Sequence, residues 1–161
     1  MLLSPLPSSI PSSSGSVSAS IMAQSTIPYC IFGVLEPTLQ ILGFAVASFT
    51  PHYLAHTQTP TTISHTLLPS EKIITYQLGN LFLLIAIFGL SIMNSASDPA
   101  VISTYLSALW WGDLGHIGVT AWGMGSQRLL NVREWTLINW TTMSFPIFFF
   151  TMRNLYFFGA F

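Results

Sequence analysis

Charged side chains are nearly missing from this sequence: Lys and Arg number four, and Asp and Glu five, among 161 residues. A soluble domain carries about a quarter of its residues as charges, and so few cannot clothe a water-facing surface of this size. The net charge of −1 leaves no basic stripe, which excludes a nucleic-acid partner. One cysteine, Cys30, excludes a disulfide framework and a cysteine-built zinc site. Nucleophile elbow, HExxH pair and phosphate-cradling glycine loop are all missing, so no cofactor is expected. His52 and His56 have the spacing of a helical metal pair, with His65 close by. No acid or cysteine accompanies them, and Pro51 and Pro60 interrupt the local helix, so no metal site is expected.

Uninterrupted apolar length is what the sequence does have. Residues 73–97 form a charge-free run of 25 between Lys72 and Asp98, and 18 uncharged residues precede Arg153. A helix needs about 20 apolar residues to cross a bilayer. Four stretches meet that length, at about 28–49, 73–93, 100–122 and 136–157. Runs such as LFLLIAIFGL do not alternate in polarity as barrel strands would, whereas helices satisfy their own backbone in lipid. The expected fold is all-α, an integral membrane four-helix bundle over residues 27–158, its helices joined up-and-down by short connections. The first 25 residues hold ten serines and three prolines without a charge, and lack the basic start of a signal peptide. Their composition predicts a disordered tail over residues 1–26, with Met22 as a second candidate start.

Lys72, Arg128 and Arg133 fall in the first and third connections and Arg153 on the opposite side. This bias places both termini away from the cytoplasm.

In lipid the informative residues are the polar ones. An acid at a helix centre costs about 2.5–3.5 kcal/mol on insertion scales, so it turns inward and finds a partner. Glu36 and Asp113 occupy such positions. His116 follows Asp113 at i+3 on the same helix face, and Gly112, Gly115 and Gly118 make a bare strip beside it. Pro37 kinks the first helix directly after Glu36, and Gln40 stands one turn on from Glu36. Gln77 and Asn80 share a face of the second span. At 1.5 Å per residue, Glu36 lies roughly 4 Å to one side of the midplane, and Asn80, Asp113 and His116 roughly 3–8 Å to the other. Six polar side chains from three helices are thus expected in one slab.

IPYCIFGVLEP in the first span, YQLGNLFLL in the second, WWGDLGHIGVTAWGM in the third and Asn139-Trp140 in the fourth carry a resemblance. From about Ile27 to Phe157 the chain resembles a fungal family of four-span integral membrane proteins catalogued as a domain of unknown function. The resemblance implies a place in a secondary-metabolite pathway, where similar membrane proteins open epoxides or close rings on lipophilic polyketides and terpenoids. The positions it carries over are Glu36, Asn80, Asp113 and His116.

Epoxide opening needs an acid for the departing oxygen and a base for the attacking hydroxyl or water. The expected assignment makes Asp113 the acid, assisted by His116, and Glu36 the base, with the two acids exchangeable. Asn80, Gln77 and Gln40 would hold the substrate. The bilayer and a lipophilic small molecule are the implied partners, with pathway enzymes or a second copy beside them, and the endoplasmic reticulum is the implied membrane. Two other readings stand beside this one: a non-catalytic scaffold or lipid-binding subunit, and a proton-coupled transporter.

Overall fold

A computed structural model describes residues 26–58 and 66–160. Five helices follow one another: α1 (Thr26–Phe49), α2 (Pro51–Thr57), α3 (Pro69–Ser95), α4 (Pro99–Leu130) and α5 (Leu137–Phe157). A single 3₁₀ turn, Val132–Glu134, joins the last two. Among the described residues there is no strand, as the sequence led us to expect. The tail expected over residues 1–26 lies, but for Thr26, outside the described residues, as does His65.

Three prolines that break the chain also begin helices. Pro51, Pro69 and Pro99 each stand in the first turn of a helix, where a missing N–H costs nothing. The first connection, where prolines forbid a continuous helix, contains only the short α2 among its described residues. Asp98 caps α4 by accepting from the Ala100 amide at 2.9 Å. The helix runs on past the expected end near Trp122. Its break comes at Gly125, whose φ of 72° and ψ of 158° only glycine adopts without strain.

α1 and α3 are long and apolar enough to cross a membrane. α4 and α5 have 32 and 21 residues, ample in length, but their Gly, Thr, Asn and charged positions make them less apolar. Much apolar surface is exposed, including Ile41, Leu42, Leu81, Ile87 and Phe88 on α1 and α3. That is more than a water-soluble monomer normally tolerates.

The four long helices pack as two pairs, α1 along α3 and α4 along α5. Small residues bring the first pair close. A Cβ added to Gly79 would stand 3.0 Å from that of Ala47, and one on Gly43 would stand 3.1 Å from the Phe82 ring. Between helices that do not gain from leaving lipid, such contact is what holds them together. One core cluster, Phe32, Met93, Ile102, Leu106 and Phe149, takes a residue from every long helix and joins the two pairs. At the far end Thr136 donates to the Thr57 carbonyl at 2.7 Å, and Asn139 to the Gln58 carbonyl at 3.0 Å. These bonds fasten the end of α2 to the start of α5.

Candidate functional site: a buried arginine between two acids

Pro37 sets the local geometry. Lacking an N–H and crowding the carbonyl four residues back, it cannot follow a regular helix without cost. The preceding segment, Tyr29–Leu35, relaxes into a π-helix, and the Glu36 amide reaches back five residues to the Ile31 carbonyl. Glu36 and Pro37 are both buried by this turn.

Arg153 of α5 meets Glu36 there. Its Nη2 donates to Glu36 Oε1 at 2.5 Å and Oε2 at 2.6 Å, while Nη1 donates to Asp113 Oδ2 of α4. The arginine side chain is 0% exposed, against 6% for Glu36 and 14% for Asp113. Its guanidinium carbon lies 5.3 Å from the Phe32 ring centre and 5.7 Å from that of Phe149, so the cation also has aromatic faces. Gln40 Nε2 adds a longer bond to Glu36 Oε1 at 3.4 Å. Among the described residues Arg153 Nε and Gln40 Oε1 are buried without a hydrogen-bond partner.

The expected polar slab is reproduced only in part. Glu36, Gln40 and Asp113 are gathered, and the group that gathers them is Arg153, which the charge count assigned to the outer side. Two signals pointed to it. Two acids within apolar spans require a cation, and Lys72, Arg128 and Arg133 all lie in the sequence outside the expected spans.

His116 is half-buried beside the backbone of Thr142, and among the described residues no hydrogen bond joins it to Asp113. Pro146 leaves that backbone open: without an N–H at 146, the Thr142 carbonyl loses its helical donor. Gln77 and Asn80 are exposed on α3 and do not join the cluster. Their spacing put them on one face, but that face turns outward. Gly112, Gly115 and Gly118 are likewise exposed, with nothing within 4 Å of an added Cβ, so the strip does not line the acids. Cys30 is exposed. Among the described residues no three potential metal ligands come together; the His52 and His56 rings stand 4.1 Å apart.

Residues 21–161 match the family described as "Domain of unknown function (DUF7704)". The chain belongs to that family. The match covers all five helices and every member of the arginine cluster. No curated protein and no solved structure matches the chain.

Proposed function

We propose that this is a membrane-embedded, cofactor-free enzyme that opens epoxides on a lipophilic polyketide or terpenoid, as a hydrolase or a cyclase. It belongs on this reading to a fungal secondary-metabolite pathway and crosses the endoplasmic reticulum membrane four times. One observation carries the reading: Glu36 and Asp113, from separate helices, share a single buried cation. Two carboxylates with one guanidinium become neutral when one carboxyl holds a proton. A low-dielectric interior favours that balance, so an acid and a base stand ready together.

Asp113, the more accessible acid, gives its proton to the epoxide oxygen as the C–O bond breaks. Water, or a hydroxyl of the same substrate, forms the new C–O bond and yields its proton to Glu36. Substrate gains H and OR across the opened bond, and the proton has passed from Asp113 to Glu36. The acids exchange roles in the next turnover, or exchange protons before it. Arg153 holds the developing carboxylate in place throughout.

A second reading has an observation of its own. Both oxygens of Glu36 are taken by Arg153 in a packed interior, which suits a structural tie in a non-catalytic scaffold or lipid-binding subunit.

The full chain in microsomes, supplied with oxidosqualene or stilbene oxide in oxygen-labelled water, decides between them. Product is expected from the native chain and neither from Glu36→Gln nor from Asp113→Asn, at near-normal protein levels. No product from the native chain, or activity in both variants, overturns the enzyme reading.

A further inference from the structure

A fifth polar group stands at the joint of α1, α3 and α4 and has no role so far. Tyr105 of α4 is half-buried and packs against the core cluster that surrounds Arg153. Its hydroxyl comes within 2.9 Å of where a Cβ on Gly89 would lie, and the Pro37 ring within 3.4 Å of the same point. Gly89 is thus a notch in α3 that admits two things at once: the proline beside Glu36 and the phenol oxygen of Tyr105. Any larger residue at 89 would displace one of them. Pro37 ties the phenol to the turn that buries Glu36, and Phe32 and Phe149 of the same core cluster flank Arg153. Among the described residues its hydroxyl enters no hydrogen bond. That oxygen is not among the buried unpartnered atoms, so the O–H is a donor still open to an acceptor from outside the fold.

We infer that Tyr105 is a ligand-contacting residue of the Glu36–Arg153–Asp113 site, donating its phenolic hydrogen bond to the ether or epoxide oxygen of an uncharged lipophilic substrate. This rests on the enzyme reading for its role in turnover, but contact with the ligand stands apart from it. An anionic ligand is disfavoured, because the cluster already has more carboxylates than cations. The phenol keeps its proton and polarises the C–O bond, while the carboxyl of Asp113 supplies the proton that is transferred. Gly89 fixes where the hydroxyl sits.

The test uses the full chain in microsomes with a lipophilic aryl sulfonyl fluoride, which sulfonylates accessible phenols, followed by peptide mass spectrometry. Tyr105 is expected to be labelled, and an excess of oxidosqualene to block that label while sparing exposed Tyr53 and Tyr76. In the turnover assay, Tyr105→Phe is expected to lower kcat at least tenfold with little change in KM. Gly89→Ala should also slow turnover in the native background and add nothing in the Tyr105→Phe background. The phenylalanine variant keeps the ring, and its thermal unfolding in detergent should stay close to native.

Label at Tyr53 or Tyr76 with none at Tyr105, or full activity in Tyr105→Phe, overturns the inference while leaving the acid–base reading intact. Blocked labelling in a chain without turnover does the reverse: the ligand contact stands and the enzyme reading falls.

Discussion

Arg153 grips both carboxylate oxygens of Glu36, at 2.5 and 2.6 Å, across 117 positions of sequence. Its other nitrogen takes Asp113, so α1, α4 and α5 meet on one guanidinium. Removing that cation leaves a buried and a part-buried acid without their partner. Breaking a buried pair from one side costs about 3–5 kcal/mol. Arg153→Met should therefore lower the thermal unfolding temperature and the membrane level of the protein sharply. The triple variant Glu36→Gln, Asp113→Asn, Arg153→Met carries no buried charge and should recover most of that loss. A triple variant no more stable than Arg153→Met alone would show that the cluster is not an electrostatic unit.

The glycines divide into two groups with opposite consequences. A Cβ on Gly79 would press at 3.0 Å on Ala47 and 3.3 Å on the Ser48 hydroxyl, so Gly79→Leu must push α1 from α3. Overpacking of this kind costs about 1–3 kcal/mol. Gly115 faces open space, and Gly115→Ala should be neutral or stabilising by up to about 1 kcal/mol through helix propensity alone. Thermal unfolding of the two variants in one detergent provides the comparison, with Gly79→Leu expected below native and Gly115→Ala at or above it.

His116 lies beside the backbone of Thr142, whose carbonyl finds no amide at Pro146 to accept from. Pro146→Ala supplies the amide that Thr142 otherwise lacks, and a regular helical bond then competes with the imidazole. His116 should become several-fold more reactive to diethylpyrocarbonate, while His52 and His56 react as before. Unchanged reactivity at His116 would mean that its contact with α5 does not rest on the proline.

These contrasts explain what the residues alone made legible. The long helices follow from apolar runs, because a chain with so few charges has no other way to satisfy its backbone in an apolar medium. Glu36 and Asp113 stood out for the same reason. Facing did not follow. Gln77 and Asn80 were assigned inward because polar groups avoid lipid, yet they lie outward on α3, and Gly112, Gly115 and Gly118 turn outward on α4. When both the interior and the surroundings are apolar, helical periodicity carries little information on which side is which. Close packing instead fell to Gly43 and Gly79, whose partners Phe82 and Ala47 are known only once the helices are docked. Arg153 escaped notice because it stands near the end of a span, where a cation normally reaches for the interface.

Asn139 does two jobs at the start of α5. Its backbone N–H donates to the Thr136 hydroxyl oxygen at 3.1 Å and its Oδ1 accepts from the Thr136 backbone N–H at 3.2 Å, a reciprocal cap. Its Nδ2 also donates to the Gln58 carbonyl, and the side chain is fully buried. Asn139→Ala keeps the first cap bond, loses the other two and leaves the Gln58 carbonyl without this donor. The cap is worth about 1 kcal/mol, and an orphaned buried group about 1–3 kcal/mol more. Thr136→Ala loses the bond to the Thr57 carbonyl and half of the cap, so it should be similarly harmful. Asn139→Asp retains the cap's acceptor but not the donor to Gln58, and should fall between native and Asn139→Ala. Limited proteolysis of the connection that follows α2 gives the readout: cleavage there should quicken in the order native, Asn139→Asp, Asn139→Ala. Equal cleavage in all three would mean that the bond from Asn139 to Gln58 does not fasten the end of α2 to α5.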